Sequence, residues 1–233
     1  MDICYAECRN DKGASNMAKY LTFDVYGTLL DEAPLYETVA QIGKSIGVNP
    51  QTAKQRFMTY QASRDNMHPY LDYTVLLRNN LIHLDYTFNL EHKFEEHFID
   101  VLQAHRELKP FPEVVPTLKE LRSRGYQLIL MSNSSWDIIT ANAKALVVPT
   151  DIWLAEDVHA YKPDLHFFKA VADHYGFTAD NHWHIAEGYP SDIVPVHAMK
   201  SPSIWVNRIN AKATSVQPTH EVKTLAEALQ YLP

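Results

Sequence analysis

Four short patches of the 233-residue chain carry side chains suited to covalent hydrolysis. Residues 23–29 run Phe-Asp-Val-Tyr-Gly-Thr-Leu and set Asp24 between an apolar run and a glycine turn. A carboxylate there can attack carbon or phosphorus and form an ester that water then splits; its bland alternative is an Asx-turn closing a strand. Residues 131–134, Met-Ser-Asn-Ser, offer hydroxyl and amide groups from Ser132 and Asn133, types that also cap turns and helices. Residues 161–164, Tyr-Lys-Pro-Asp, supply Lys162, a cation able to hold the charge of an attacking carboxylate and keep its pKa low. A lone lysine is otherwise a solvated one. Residues 186–192, Ala-Glu-Gly-Tyr-Pro-Ser-Asp, add two acids, Glu187 and Asp192.

The elements around these patches predict how they meet. Short apolar runs at 20–23, 127–131, 152–154, 183–186 and 203–206 read as strands. Helical spacing of Val114, Leu118 and Leu121, closed by Gly125, and of Leu165, Phe168, Val171 and Tyr175, closed by Gly176, marks two intervening helices. Leu225, Leu229 and Leu232 predict a last one. Strands alternating with amphipathic helices imply an α/β fold, a doubly wound, Rossmann-like parallel sheet covered on both faces. Its site lies beyond the carboxyl ends of the strands, where Asp24, Ser132 and Glu187 all fall. The core is expected over 17–30 and 111–233. Residues 31–110 show helical periodicity (Phe94, Phe98, Leu102, His105, Leu108) without strand alternation and read as an inserted helical cap domain, with Pro110-Phe111-Pro112 as the return linker.

Composition narrows the partners. With 21 basic and 28 acidic residues the net charge is -7, against the basic face of a nucleic-acid binder. No apolar run approaches the roughly 20 residues of a membrane span. The two cysteines, Cys4 and Cys8, form no zinc spacing and fit a reducing, cytoplasmic home. The 12 histidines are scattered. Residues 1–16 lack the charged and apolar regions of a signal peptide and are expected to be a flexible extension.

In order, with a helical insert after the first, the four patches resemble the haloacid dehalogenase superfamily. They are most similar in pattern to the L-2-haloacid dehalogenases, through Asp24-Val-Tyr26-Gly-Thr28-Leu, Ser132-Asn133, Tyr161-Lys162-Pro163 and Trp205-Val-Asn-Arg208. The resemblance implies an aspartyl-ester hydrolase of a small-molecule substrate, with Asp24 as nucleophile and Lys162 holding its charge. Thr28 and Ser132 would orient it and stabilise developing charge. Asn133 would receive the leaving group, and Asp192 would position the others. Phosphatases of the superfamily carry a second Asp two residues after the nucleophile, to protonate the leaving alcohol. Here that position is Tyr26, which is expected to line the substrate site or to pack at the loop. A halide leaves without a proton, so no cofactor and no second acid are needed for dehalogenation.

Other departures point the opposite way. Where the dehalogenases have Ser and Asn, the fourth patch has Glu187 and Tyr189. Asp24, Glu187 and Asp192 resemble the acids that hold Mg2+ in the phosphatases. Three carboxylates against one lysine require compensation: Mg2+ binds, one acid stays protonated, or Glu187 turns away. Phe168 replaces a Tyr of the dehalogenases. Their substrate-gripping Arg falls near Lys54, with Arg56 and Arg64 close by, and a lysine cannot grip a carboxylate bidentately. Lys54, Arg56 and Arg64 are therefore expected to bind substrate in an altered pocket, or to form a solvated basic helix face. Three functions follow: a dehalogenase acting on a 2-substituted acid such as an L-2-haloacid, a Mg2+-dependent phosphatase, and a non-catalytic ligand-binding member. A homodimer is left open.

Overall fold

The computed structural model describes residues 19–63, 67–146 and 151–232. The expected extension, residues 1–16, and Arg64 lie outside them.

The chain opens with β1 (Lys19–Phe23), then four helices, α1 (Ala33–Ser45), α2 (Pro50–Ser63), α3 (Tyr73–Phe88) and α4 (Phe98–Arg106). It continues through α5 (Val114–Ser123), β2 (Tyr126–Ser132), α6 (Trp136–Leu146), β3 (Asp151–Leu154), the single turn α7 (Ala155–Val158) and α8 (Leu165–Tyr175). It ends with β4 (His182–Ala186), α9 (Val194–Ala198), β5 (Ser203–Val206) and β6 (His220–Val222). All six strands pair in parallel, in the order β3-β2-β1-β4-β5-β6. The order reverses beside β1, so the crevice at the carboxyl ends of β1 and β4 is where such sheets take ligands.

The reason for these strands is continuous apolarity. Leu128 to Met131 of β2 are all buried, as a parallel strand covered on both faces requires. The strand β6 escapes a pattern argument because three residues, His-Glu-Val, carry no alternation. The expected last helix is instead a short 3-10 segment, Leu225–Gln230, which buries Leu225 and Ala228.

The four helices between β1 and α5 form the cap. Its two chain crossings run side by side: Asp31 N donates to Lys109 O at 3.0 Å and Phe111 N to Leu29 O at 3.1 Å. Leu35, Val39, Phe57, Leu81 and Phe94 bury the inner faces of the cap helices in one cluster with core residues Leu29, Leu30 and Leu118. Among the described residues, no helix is long and apolar enough to cross a membrane.

Helices α1 and α2 approach closely at Gly43, where an added Cβ would stand 2.8 Å from the Cβ of Ala53. A larger side chain must push the helices apart, and overpacking of this kind costs about 1–3 kcal/mol. Gly43→Leu is therefore expected to lower the melting temperature by several degrees. An unchanged melt would contradict the close approach.

Candidate active site

Asp24 follows β1, and its backbone N extends the ladder to Ile185 O at 3.1 Å. The chain then reverses through Gly27, whose φ of +79° suits glycine. The turn returns Thr28 to Asp24, and its Oγ1 donates to Asp24 Oδ2 at 2.6 Å. The same oxygen accepts from Glu187 N at 2.7 Å, so one hydroxyl ties the loops after β1 and β4 together. Arg208, which the sequence supplied only as part of a motif, braces the turn from behind. It donates to Gly27 O at 3.1 Å and Thr28 O at 2.8 Å, pairs with Glu113 at 2.7 Å and lies 3.7 Å from the Phe111 ring centre.

Lys162 is 1% exposed. Its Nζ donates to Asp24 Oδ1 at 2.8 Å and to Asp192 Oδ1 at 2.7 Å. Asp192, fully buried, also accepts from His184 Nε2 at 3.0 Å and, on Oδ2, from Ser191 Oγ at 2.6 Å. These contacts separate the two carboxylates. Burial opposes the charge on Asp192, but Lys162 and then His184 hold its pKa down at about 2. Burial pushes Asp24 up; Lys162 counters this and the charge of Asp192 adds to it. Asp192 is thus the settled counter-ion, and Asp24 the more basic partner.

In the second patch Asn133 lines the cleft, whereas Ser132 stands behind it and does not reach Asp24. Asn133 Nδ2 donates to Lys162 O at 2.9 Å and its Oδ1 accepts from Lys162 N at 2.7 Å, so its amide grips the lysine backbone. Ser132 Oγ accepts from Ser134 N at 3.2 Å and lies 3.0 Å from Ser134 Oγ, shaping the loop. Tyr26 donates to Asn142 Oδ1 at 2.8 Å, beside His105.

These groups open onto a cleft of about 610 Å³, lined by Asp24, Tyr26, Lys54, Asn133, Lys162 and Glu187 among others. Helix α2 offers Lys54, Met58 and Gln61 to it, one face at helical spacing. Arg56 points elsewhere and is exposed. The substrate-binding expectation therefore finds Lys54 and Tyr26 at the cleft and Arg56 off it, because positions 54 and 56 lie on different sides of a helix. Tyr60, further along α2, stacks on His83 at 3.5 Å. Tyr189 turns away to accept three backbone N–H groups, from Thr214, Ser215 and Val216.

Glu187 lines the cleft, and its carboxylate makes no hydrogen bond among the described residues. Burial, then Asp24, Glu32 and Asp192, push its pKa up to about 7, with Arg208 pulling the other way. Of the three ways to relieve the crowded acids, partial protonation of Glu187 is the one this environment favours. The set Asp24, Glu187 and Asp192 fits Mg2+ poorly, since Asp192 is sealed behind Lys162, His184 and Ser191. Among the described residues, no three His, Cys, Asp or Glu side chains form a metal cluster.

The residues missed in the sequence are His182 and His184, buried on β4. The available signal was a His-x-His pair inside a strand expected to be covered on both faces.

A family model for haloacid dehalogenase-like hydrolases matches residues 18–193. The (S)-2-haloacid dehalogenase 4A of Burkholderia cepacia is 30% identical over 173 residues, 69% of this chain and 74% of that one. The (S)-2-haloacid dehalogenase 1 of Pseudomonas sp. strain CBS-3 is 26% identical over 90% of this chain and 94% of its own. The solved L-2-haloacid dehalogenase from Xanthobacter autotrophicus with chloropropionic acid covalently bound shares the fold, with a TM-score of 0.78 at 17% identity over 93% of this chain and 100% of that one.

Removing the ammonium while keeping its stem tests the buried cluster. Lys162→Met leaves two carboxylates buried without their cation, which should destabilise the protein by about 3–5 kcal/mol. Chemical denaturation measures it. A loss below about 1 kcal/mol would show that the ammonium is not what holds the two acids.

Proposed function

We propose that this chain, which belongs to the haloacid dehalogenase-like hydrolase family, is a dehalogenase. It hydrolyses a small 2-substituted carboxylic acid such as an L-2-haloacid, through a covalent ester on Asp24. The observation that carries this is the buried Lys162 bridging Asp24 and Asp192, with Asp24 facing the cleft. The names of the curated relatives favour the substrate class.

One Asp24 oxygen attacks C2 of the substrate; the C–O bond forms as the carbon–halogen bond breaks and halide leaves with its electron pair. Lys162 and Thr28 hold the nucleophile in place for that displacement. Tyr26, standing where phosphatases have an acid, needs to donate no proton. Lys54 attracts the substrate carboxylate as a point charge. Water then attacks the Asp24 carbonyl carbon of the ester, releasing the hydroxyacid and restoring the carboxylate. Glu187 takes one proton of that water, since it is unpartnered and poised near neutral pH, and the other passes to the departing alkoxide oxygen of the hydroxyacid. The work is placed in a reducing cytoplasm, which the two cysteines, Cys4 and Cys8, suit. The second reading, a Mg2+-dependent phosphatase, would need these acids to hold the metal, which the sealed Asp192 opposes.

Halide release from L-2-chloropropionate that survives EDTA supports the dehalogenase, and Asp24→Asn should abolish it. Phosphate release from p-nitrophenyl phosphate that EDTA stops would transfer the assignment to the phosphatase. A single turnover in heavy-oxygen water should leave one labelled oxygen in the peptide containing Asp24.

Ester hydrolysis needs Glu187 deprotonated. Its rate is expected to rise with pH through about 7 and then level. Glu187→Gln should lower kcat by about 10²-fold or more and erase that rise, with ester accumulating. An unaltered pH profile in the variant would assign the water to another base.

A further inference from the structure

Strand β4 carries a second buried polar chain, which the reaction above does not use. His182 and His184 are 6% and 0% exposed and, two residues apart, face the same side of the sheet. Thr22 of β1 lies between them, its Oγ1 2.7 Å from His182 Nε2 and 2.8 Å from His184 Nδ1. The remaining nitrogen of His184, Nε2, reaches Asp192 Oδ1, the oxygen that also accepts from Lys162. Phe168 closes the far side of the imidazole, edge-on at 5.7 Å.

The partners dictate where the protons are. Ionised Asp192 only accepts, so His184 Nε2 carries a proton. Thr22 has one proton to give. Burial holds His182 neutral, with its pKa near 3. If Thr22 donates to His184 Nδ1, then His182 Nε2–H donates to Thr22, and His182 Nδ1 is left as an acceptor. That atom indeed has no partner among the described residues. The reverse direction would strand a buried N–H and add a cation to the sheet interior, and orphaned buried donors are the rarer case. The chain therefore runs His182 to Thr22 to His184 to Asp192.

We infer that His184 is a positioning residue of the reaction: its Nε2–H fixes Asp192, and through it the Lys162 ammonium against Asp24, while Thr22 and His182 fix its tautomer. Two oxygens of Asp192 are then held from three sides, by Lys162, His184 and Ser191, and the carboxylate cannot rotate. His184 touches neither cleft nor substrate, so its effect belongs to the chemical step and not to binding. The kinetic consequence rests on Asp24 being the nucleophile; the tautomer does not.

The test compares His184→Leu, His184→Gln and His184→Asn on any substrate the wild type turns over. The Gln amide N–H reaches the place of the imidazole Nε2–H; that of Asn sits nearer Nδ1. His184→Leu and His184→Asn should lose at least tenfold in kcat with KM within twofold, and His184→Gln should recover most of the loss. A role in packing alone ranks Leu at or above Gln; that order, or a KM that moves with kcat, overturns the inference. Should His184→Leu fail to fold, the Gln and Asn pair decides, with Thr22→Val expected to lose part of kcat at unchanged KM. Resting enzyme labelled with 15N-histidine gives the independent arm: His184 should show its proton on Nε2, and His182 should not titrate between about pH 5 and 8. A proton on Nδ1 alone overturns the inference whether or not haloacids are substrates. A wild type that releases no halide counts against the dehalogenase reading only.

Discussion

One ammonium held between two carboxylates governs this molecule. Lys162 is almost without solvent, as is Asp192, and Asp24 is nearly so. Charges in such a setting persist only when each is matched at contact distance and its remaining hydrogen-bonding sites are filled. Lys162 uses two of its three donors on the acids. Asp192 fills its second oxygen with Ser191, and Asp24 fills its own with Thr28. The supporting residues follow from that need. Asn133 clamps the lysine backbone, and Arg208 clamps the turn that carries Thr28.

The cluster is asymmetric. The two acids share a cation but not an environment: Asp192 lies inside with donors on every side, whereas Asp24 lies at the cleft wall with two. The better-satisfied acid takes the permanent negative charge, and the other stays the more basic of the two. Glu187 stands outside this arrangement. It is crowded by like charges and paired with nothing among the described residues, which moves it towards the pH at which a carboxylate can exchange protons with water.

Much of this was legible in the chain. The strands after which Asp24, Ser132 and Glu187 stand were visible because buried parallel strands are short, continuous apolar runs. The helical insert was visible as a change of period. The ordered patches pointed to Asp24, Thr28, Lys162 and Asp192, which the structure joins in one hydrogen-bonded chain, and to Ser132, which bonds only within its own loop. What escaped is long-range and directional. That Asn133 would spend its amide on the backbone of Lys162 depends on two loops 29 residues apart. The outward turn of Arg56 depends on the rotational setting of α2. His182 and His184 read as scattered polar residues, since no periodicity reveals a threonine on the neighbouring strand placed to join them.

The paired crossings at Leu29–Phe111 and Asp31–Lys109 have an evolutionary corollary. Because the cap leaves and returns through adjacent points, the sheet experiences the whole excursion as a tight hairpin. Entropy of closure grows only slowly with the length of such an excursion. Lineages can therefore lengthen, shorten or exchange the insert, and with it the roof over the cleft, while the sheet beneath stays unedited.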